Sequence, residues 1–113
     1  GGGGGGGAVA ARCAEECRLE ARLGGLHLEL GALRAAAEHF GAALAAHPAH
    51  VPSMVGMAQT LLQQAGDAAA QGHVWRTADA LQRAASLLRT CLQSAAPPTL
   101  ARQLLADTLR DAD

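Results

Sequence analysis

Cysteine and histidine are the residue types in this chain that could bind a metal or carry a catalytic step. The cysteines are Cys13, Cys17 and Cys91, and the histidines are His27, His39, His47, His50 and His73. Cys13 and Cys17 share a helix face, but no second Cys/His pair follows at the spacing of a zinc finger. No two histidines are four residues apart, and there is no HExxH motif. We therefore predict small buried cysteines in a reducing compartment.

The remaining reactive side chains form no recognisable catalytic arrangement. Glu15 and Glu16 belong to a solvated helix face and are not an acid/base pair. The serines lie in no nucleophile elbow, and the glycine run at residues 1–7 neither follows a strand nor opens a Lys-Ser/Thr helix. We therefore predict no enzyme activity, and no catalytic residue, metal or cofactor.

Composition favours a small all-α protein. The 113 residues allow one small domain, and they are 50% hydrophobic but only 2% aromatic, with alanine and leucine favouring helix over sheet. The net charge of −1 gives no electrostatic basis for binding nucleic acid or an anionic membrane. Residues 1–8 are predicted to be a flexible glycine linker. Because the chain begins with glycine rather than methionine, we expect it to be part of a longer protein.

Apolar residues at helical spacing predict two helices joined by a short turn. Four leucines recur at intervals of four, three and four residues: Leu19, Leu23, Leu26 and Leu30. They give one apolar face to a helix over residues 9–30. Gly31 can adopt a positive φ and so ends this helix. A second helix follows over residues 33–47, and Pro48 ends it because proline cannot continue a helix interior.

The second half of the chain repeats this pattern with an insertion between residues 66 and 79. In the favoured interpretation, residues 51–71 form one long helix that ends at Gly72-His73. In the alternative, the helix breaks at Gly66-Asp67 and the insertion is a loop. A partner helix is predicted over residues 74–94, with Ala84 and Leu88 as packing positions. Pro97-Pro98 would end it, and Thr99 would be the N-cap of a last helix reaching about residue 110.

Residues 17–48 resemble one tetratricopeptide repeat (TPR), a helix-turn-helix unit of about 34 residues. Six positions carry the resemblance: Leu23 and Gly24 as the Leu-Gly pair, Ala36 and Ala43 as small residues, Phe40 as the aromatic and Pro48 as the closing proline. Glu20 and His27 depart from the pattern. Two helices would pack closely through Gly24 and Ala36, with Phe40 filling the wedge beside them. We expect His27 and His39 to be packed imidazoles, and His47 and His50, which flank a turn, to be solvated.

The resemblance implies antiparallel helix-turn-helix repeats stacked as an α-superhelix over residues 9–113. The complete repeat would be residues 17–50, the enlarged repeat residues 51–96 and a partial third repeat residues 97–113. Such stacks bind partners along the inner face of the first helices, which would present Leu28, Gln59 and Gln63. Trp75 is the single tryptophan, and we expect it to pack between the two long helices. The alternative is that Trp75 and Arg76 contact a partner.

The order of the units is similar to that in the TPR scaffold subunits of superkiller (Ski) complexes. The resemblance rests on the HVPSMVGM segment at residues 50–57, the enlarged repeat and the LRTCLQ segment at residues 88–93. It implies a cytoplasmic scaffold, with the nucleus as the alternative location. Such a scaffold carries an RNA helicase and WD-repeat proteins and assists 3′-to-5′ RNA decay by the exosome, without contacting nucleic acid or membrane in this segment. Two further hypotheses are a TPR adaptor that binds a peptide segment and a helical bundle without repeats.

Overall fold

Five helices form the computed structural model, which describes residues 2–93 and 99–112, with side chains over residues 12–93 and 102–110. In chain order they are α1 (Gly2–Glu29), α2 (Leu33–Ala46), α3 (Val51–Ala70), α4 (Val74–Leu92) and α5 (Thr99–Ala112). These residues contain no strand, so the predicted all-α class is confirmed. The predicted helix end at Ser94 and the Pro97-Pro98 terminator lie outside the described residues.

α3 runs without interruption through Gly66 and Asp67, so the loop alternative for residues 66–79 is wrong. A single glycine destabilises a helix by about 1 kcal/mol, which is less than the stabilisation that a long helix gains from tertiary packing. α3 has 20 residues and α4 has 19, whereas α2 has 14. The insertion therefore lengthens both helices of the second hairpin.

α1 begins at Gly2, so residues 2–8 belong to a helix and not to the linker that the sequence predicts. Each glycine is unfavourable by about 1 kcal/mol relative to alanine. Favourable helix propagation holds for good helix formers and not for glycine, so local propensity does not account for the helix over this run.

The two hairpin turns have the same geometry. Gly31 and Gly72 have φ angles of +79° and +78°, in the left-handed region that glycine adopts without strain. At the first turn, the N–H of Ala32 donates to the carbonyl of His27 at 2.8 Å and that of Gly31 to Leu28 at 3.1 Å. The turn at Gly72 has the same pair of bonds, spanning five and three residues. Both are Schellman motifs, which satisfy the last carbonyls of the preceding helix.

The core of the first hairpin is organised around Phe40, which is 3% exposed. Its ring lies against the bare backbone of Gly24 in α1 and of Gly56 in α3. A Cβ added at Gly24 would come within 2.9 Å of the ring, and one at Gly56 would overlap it. Ala36 and Ala43 lie on the same face of α2 and are fully buried. Phe40 therefore joins three helices at one point, as a wedge that needs small residues around it.

The core of the second hairpin lies between α3 and α4. Its buried members are Met54, Val55, Ala58, Leu61, Ala84, Leu88 and Cys91. Buried hydroxyls beside this core are satisfied within their own helices. Thr60 donates to the carbonyl of Gly56 at 2.8 Å, and Thr108 donates to that of Leu104 at 2.6 Å. Neither threonine depends on a distant partner.

The helices form two layers. Each helix contacts the next one in the chain, and α3 additionally contacts both α1 and α5. Within the described residues, α2 and α4 make no contact with each other. The odd-numbered helices therefore form one continuous layer, and the even-numbered helices lie on the other side of it. Short turns within each hairpin make its two helices antiparallel neighbours.

α1 packs on α2 through a polar and small-residue face rather than through its leucines. Glu20, Gly24 and His27 make that face, while Cys17 contacts Ser53 of α3. Three residues of the predicted apolar stripe are exposed instead: Leu19 at 58%, Leu26 at 56% and Leu30 at 79%. These three leucines are thus left largely uncovered by the described residues, whereas Leu23 is half-buried.

Candidate functional site

The first turn of α4 exposes its large side chains. Trp75 is 87% exposed and Val74 is 76% exposed, so the expected packing of Trp75 between the long helices is wrong. Trp75 precedes the buried Ala84 by nine residues, which is about two and a half turns. Its side chain therefore projects from the side of α4 opposite the buried face. Arg76, beside it, is also exposed. Exposed tryptophan and arginine are the residue types most enriched in binding hot spots.

An apolar groove lies next to this exposed turn, between α4 and α5. Its volume is about 640 Å³. Val74 and Leu81 of α4 line it together with Leu109 of α5, and Arg89 is its charged member. Leu109 itself is 43% exposed. The groove and the Val74-Trp75 pair form one apolar region on the second hairpin, which we call the α4 surface.

The residues predicted for the inner face lie on the odd-numbered layer. Leu28 and Gln59 are half-buried, and Gln63, one turn after Gln59, is exposed. A cleft of about 530 Å³ opens between α1 and the start of α3. Arg18 and His50 line it from the two sides. Arg22 and Glu15 also line this cleft, so its charge is mixed.

His50 and Ser53 form a buried hydrogen bond at the start of α3. The His50 Nδ1 atom is 2.6 Å from the Ser53 Oγ atom, and the Cys17 Sγ atom lies 4.0 Å from the same oxygen. Ser53 is fully buried, whereas the sequence analysis expected His50 to be solvated. His50 itself is half-buried and also lines the cleft beside α1, so the expectation of a solvated ring holds only in part. Ser53 is hidden from any substrate, so the pair fastens α3 to the turn and does not supply a nucleophile.

Burial lowers the pKa of His50, and the neighbouring His47 and Arg18 lower it further. All three causes disfavour the protonated ring. His47 and His50 lie with ring centroids 5.8 Å apart and are tilted to each other. This junction therefore folds around a neutral imidazole.

A second polar cluster fills the interface of α1 and α2. The His39 Nδ1 atom is 2.6 Å from the Glu20 Oε2 atom, and both side chains are about 30% exposed. The ring of His27 stacks on His39 with centroids 5.0 Å apart and planes 7° from parallel. Glu20 and His27 are the two departures from the TPR pattern, and they meet here. The cluster replaces the packing of large aromatic residues with a hydrogen bond and a stacked pair.

The cysteines occupy packing positions. Cys17 and Cys91 are buried and Cys13 is partly buried, and all three are free thiols. Burial raises the pKa of the Cys91 thiol, and its sulfur lies 3.6 Å from the Met54 sulfur. Across the described residues, no group of three or more His, Cys, Asp or Glu is placed to hold a metal ion.

Sequence reasoning missed two residues that organise the fold. Gly56 contacts Phe40 as closely as Gly24 does, and it lies 32 residues after Gly24. This spacing is close to the repeat length of about 34 residues, so it could have identified Gly56 as the counterpart of Gly24. No sequence pattern indicated the hydrogen bond between Ser53 and His50. It depends on the direction in which the chain enters α3, which the sequence does not specify.

Comparison with protein-family models, curated proteins and solved structures gives no match for this chain. Among the described residues, every helix is too short or too polar to cross a bilayer.

Proposed function

We propose that this chain is a TPR-like segment of a protein scaffold that displays binding surfaces and carries out no chemistry. In its specific form, the scaffold is of the Ski type: it holds an RNA helicase and WD-repeat proteins and thereby assists RNA decay by the exosome. That form rests on the sequence resemblance described above. The chain is then one complete repeat, one enlarged repeat and part of a third.

The order of helix contacts is the observation that carries this proposal. In a stack of helical hairpins each hairpin contacts only its neighbours, and first helices that contact one another form a continuous inner layer. α1, α3 and α5 follow this rule, and within the described residues α2 and α4 do not touch. The two Schellman turns at Gly31 and Gly72 further support a repeated hairpin.

Exposed residues support a binding role over a purely internal one. A tryptophan that stands almost fully exposed in the first turn of α4 has no packing function within the chain. Large apolar surface of this kind usually marks a site for another protein. The α4 surface is therefore the face that we assign to a scaffold partner.

The experiment is reconstitution with purified helicase and WD-repeat subunits of a Ski-type complex. The proposal predicts co-elution of the chain with at least one of them on size exclusion, and binding measurable by calorimetry. Trp75→Ala and Arg76→Ala should each weaken that binding at least tenfold, equivalent to about 1.4 kcal/mol. Arg102→Ala, an exposed arginine on α5, is the matched control and should bind normally.

Three outcomes separate the possibilities. Binding that depends on Trp75 supports the scaffold. Binding that is unchanged by both α4 variants removes the assignment of the α4 surface. No binding to either subunit removes the Ski-type form.

A peptide adaptor is the second candidate, and the cleft between α1 and the start of α3 favours it. An extended peptide would lie along α1 and α3 and contact Leu28, Gln59 and Gln63. Gln59→Ala and Gln63→Ala should then weaken binding of a peptide selected from a random library, while Trp75→Ala should not. The reverse pattern would favour the scaffold instead.

A further inference from the structure

The outer side of α1 has a leucine flank and a charged flank. Leu19, Leu26 and Leu30 lie within about 40° of one another around the helix axis, taking about 100° per residue. Arg22 and Glu29 lie about 20° apart, on the side of the leucines that faces away from α2. All five residues are exposed. We call these five residues the α1 stripe.

The α1 stripe is complementary to itself in the antiparallel direction. A two-fold axis perpendicular to two antiparallel helices keeps each flank beside the same flank of its partner. If the axis lies near residue 25, Leu19 of one copy comes within a turn of Leu30 of the other, and the two Leu26 side chains meet near the axis. On the other flank, Arg22 of each copy then lies opposite Glu29 of its partner.

The parallel direction does not have this property. There, the two-fold axis runs along the helices and places the charged flank of each copy beside the leucine flank of its partner, so Arg22 and Glu29 gain no ion-pair partner. The α4 surface has no comparable charge pattern, since Arg89 is the one charged member of its groove. Charge complementarity therefore selects one orientation of one helix.

We propose that the α1 stripe binds a second copy of this chain, forming a two-fold antiparallel pair of α1 helices with reciprocal Arg22–Glu29 ion pairs. The pair covers the leucines that the fold leaves in solvent. It uses a different surface from the α4 surface assigned above to scaffold partners, so it stands or falls independently of that assignment. Leu19 and Arg22 also line the cleft beside the start of α3, so the pair would compete with a peptide bound there.

The size of the stripe sets the expected affinity. Stable dimers bury about 800 Å² on each partner, and a stripe of three leucines over about three turns provides much less. The expected Kd is on the order of 100 µM. Association therefore has to be measured at high concentration.

Sedimentation equilibrium from about 10 µM to about 1 mM gives the test, because this range brackets the expected Kd. Leu26→Glu should raise Kd by at least about 30-fold, since it places a charge among buried leucines. Arg22→Glu and Glu29→Arg should each raise Kd about tenfold by setting like charges opposite each other. The double variant carrying both changes should return Kd to within about threefold of the original value. Trp75→Glu is the matched control at the other exposed apolar surface and should leave Kd unchanged.

Each result decides the proposal. Concentration-dependent dimers with charge-swap rescue support it. A chain that stays monomeric throughout, or dimers that Trp75→Glu breaks and Leu26→Glu does not, overturns it. Dimers in which the double variant is weaker than either single one overturn the antiparallel register. The rescue comparison remains valid even if Leu26→Glu unfolds the chain, and far-UV circular dichroism identifies that case.

Discussion

The contact between Phe40 and Gly56 predicts that Gly56→Ala lowers the free energy of unfolding, although helix propensity alone predicts that it raises it. In a helix interior, Gly→Ala normally stabilises by about 0.5–1 kcal/mol. At Gly56, however, the new Cβ would overlap the Cε1 and Cζ atoms of the Phe40 ring. Gly66 lies on the same helix, is exposed and has nothing within 4 Å of an added Cβ. It is therefore a matched control on which propensity acts alone.

The magnitude follows from two opposed effects. Overpacking a close-packed site costs about 1–3 kcal/mol, and the propensity gain offsets about 1 kcal/mol of it. Overlap with two ring atoms places Gly56→Ala in the upper part of this range, so we expect it to destabilise by about 1–2 kcal/mol, whereas Gly66→Ala stabilises by about 0.5–1 kcal/mol. The two variants thus differ in sign although the chemical change is identical.

A second-site change sharpens the prediction. Leucine lacks the Cε1 and Cζ atoms that a Cβ at Gly56 would overlap, but it keeps an atom near Cδ1, which lies 2.9 Å from a Cβ added at either Gly24 or Gly56. In a Phe40→Leu background, Gly56→Ala should therefore be much less destabilising, with a coupling energy of about 1–2 kcal/mol. Gly24→Ala should be rescued much less.

Urea unfolding followed by far-UV circular dichroism measures these free energies. Fluorescence is a poor probe here, because Trp75 is already 87% exposed in the folded chain. If Gly56→Ala stabilises as much as Gly66→Ala does, the ring does not lie on that backbone. The central wedge of the fold would then be wrong.

Three further predictions concern single side chains. Folding lowers the pKa of His50 below its unfolded value of about 6.5, so its contribution to stability is complete above about pH 6.5 and is lost as the pH falls below it. The Tm should therefore drop on acidification, less so in His50→Gln, and by the normal amount in His73→Gln, whose ring is exposed. Trp75→Ala should change the free energy of unfolding by less than about 0.5 kcal/mol, measured in urea. In the native chain, a thiol reagent monitored by mass spectrometry should modify Cys13 well before Cys91, which is buried with a raised pKa.

The sequence predicted the helices well because their ends depend on local chemistry. Gly31 and Gly72 both end helices through a positive φ. α3 continues past Gly66 because one glycine destabilises a long helix only slightly. The stripe of leucines on α1 was equally visible, but its environment was not. Periodicity identifies an apolar face without identifying what covers it.

Side-chain partners across helices were the part that the sequence did not specify. The Glu20–His39 hydrogen bond joins residues 19 apart, and the Cys17–Ser53 contact joins residues 36 apart. Each depends on the angle at which two helices cross, which the side chains at the contact decide together. Composition could therefore indicate packed histidines without indicating that two of them stack.

The placement of polar and apolar faces on α1 gives the strongest argument about how this chain works. In a self-contained helical bundle, the leucine side of a helix faces inward and the polar side faces water. Here α1 turns Glu20 and His27 toward α2 and leaves Leu26 and Leu30 in solvent. The buried polar side is satisfied by His39, so reversing the helix would lose hydrogen bonds as well as the Phe40 wedge on Gly24. In this orientation the apolar side of α1 remains accessible. A molecule that binds there buries the leucines, and this burial stabilises the interaction.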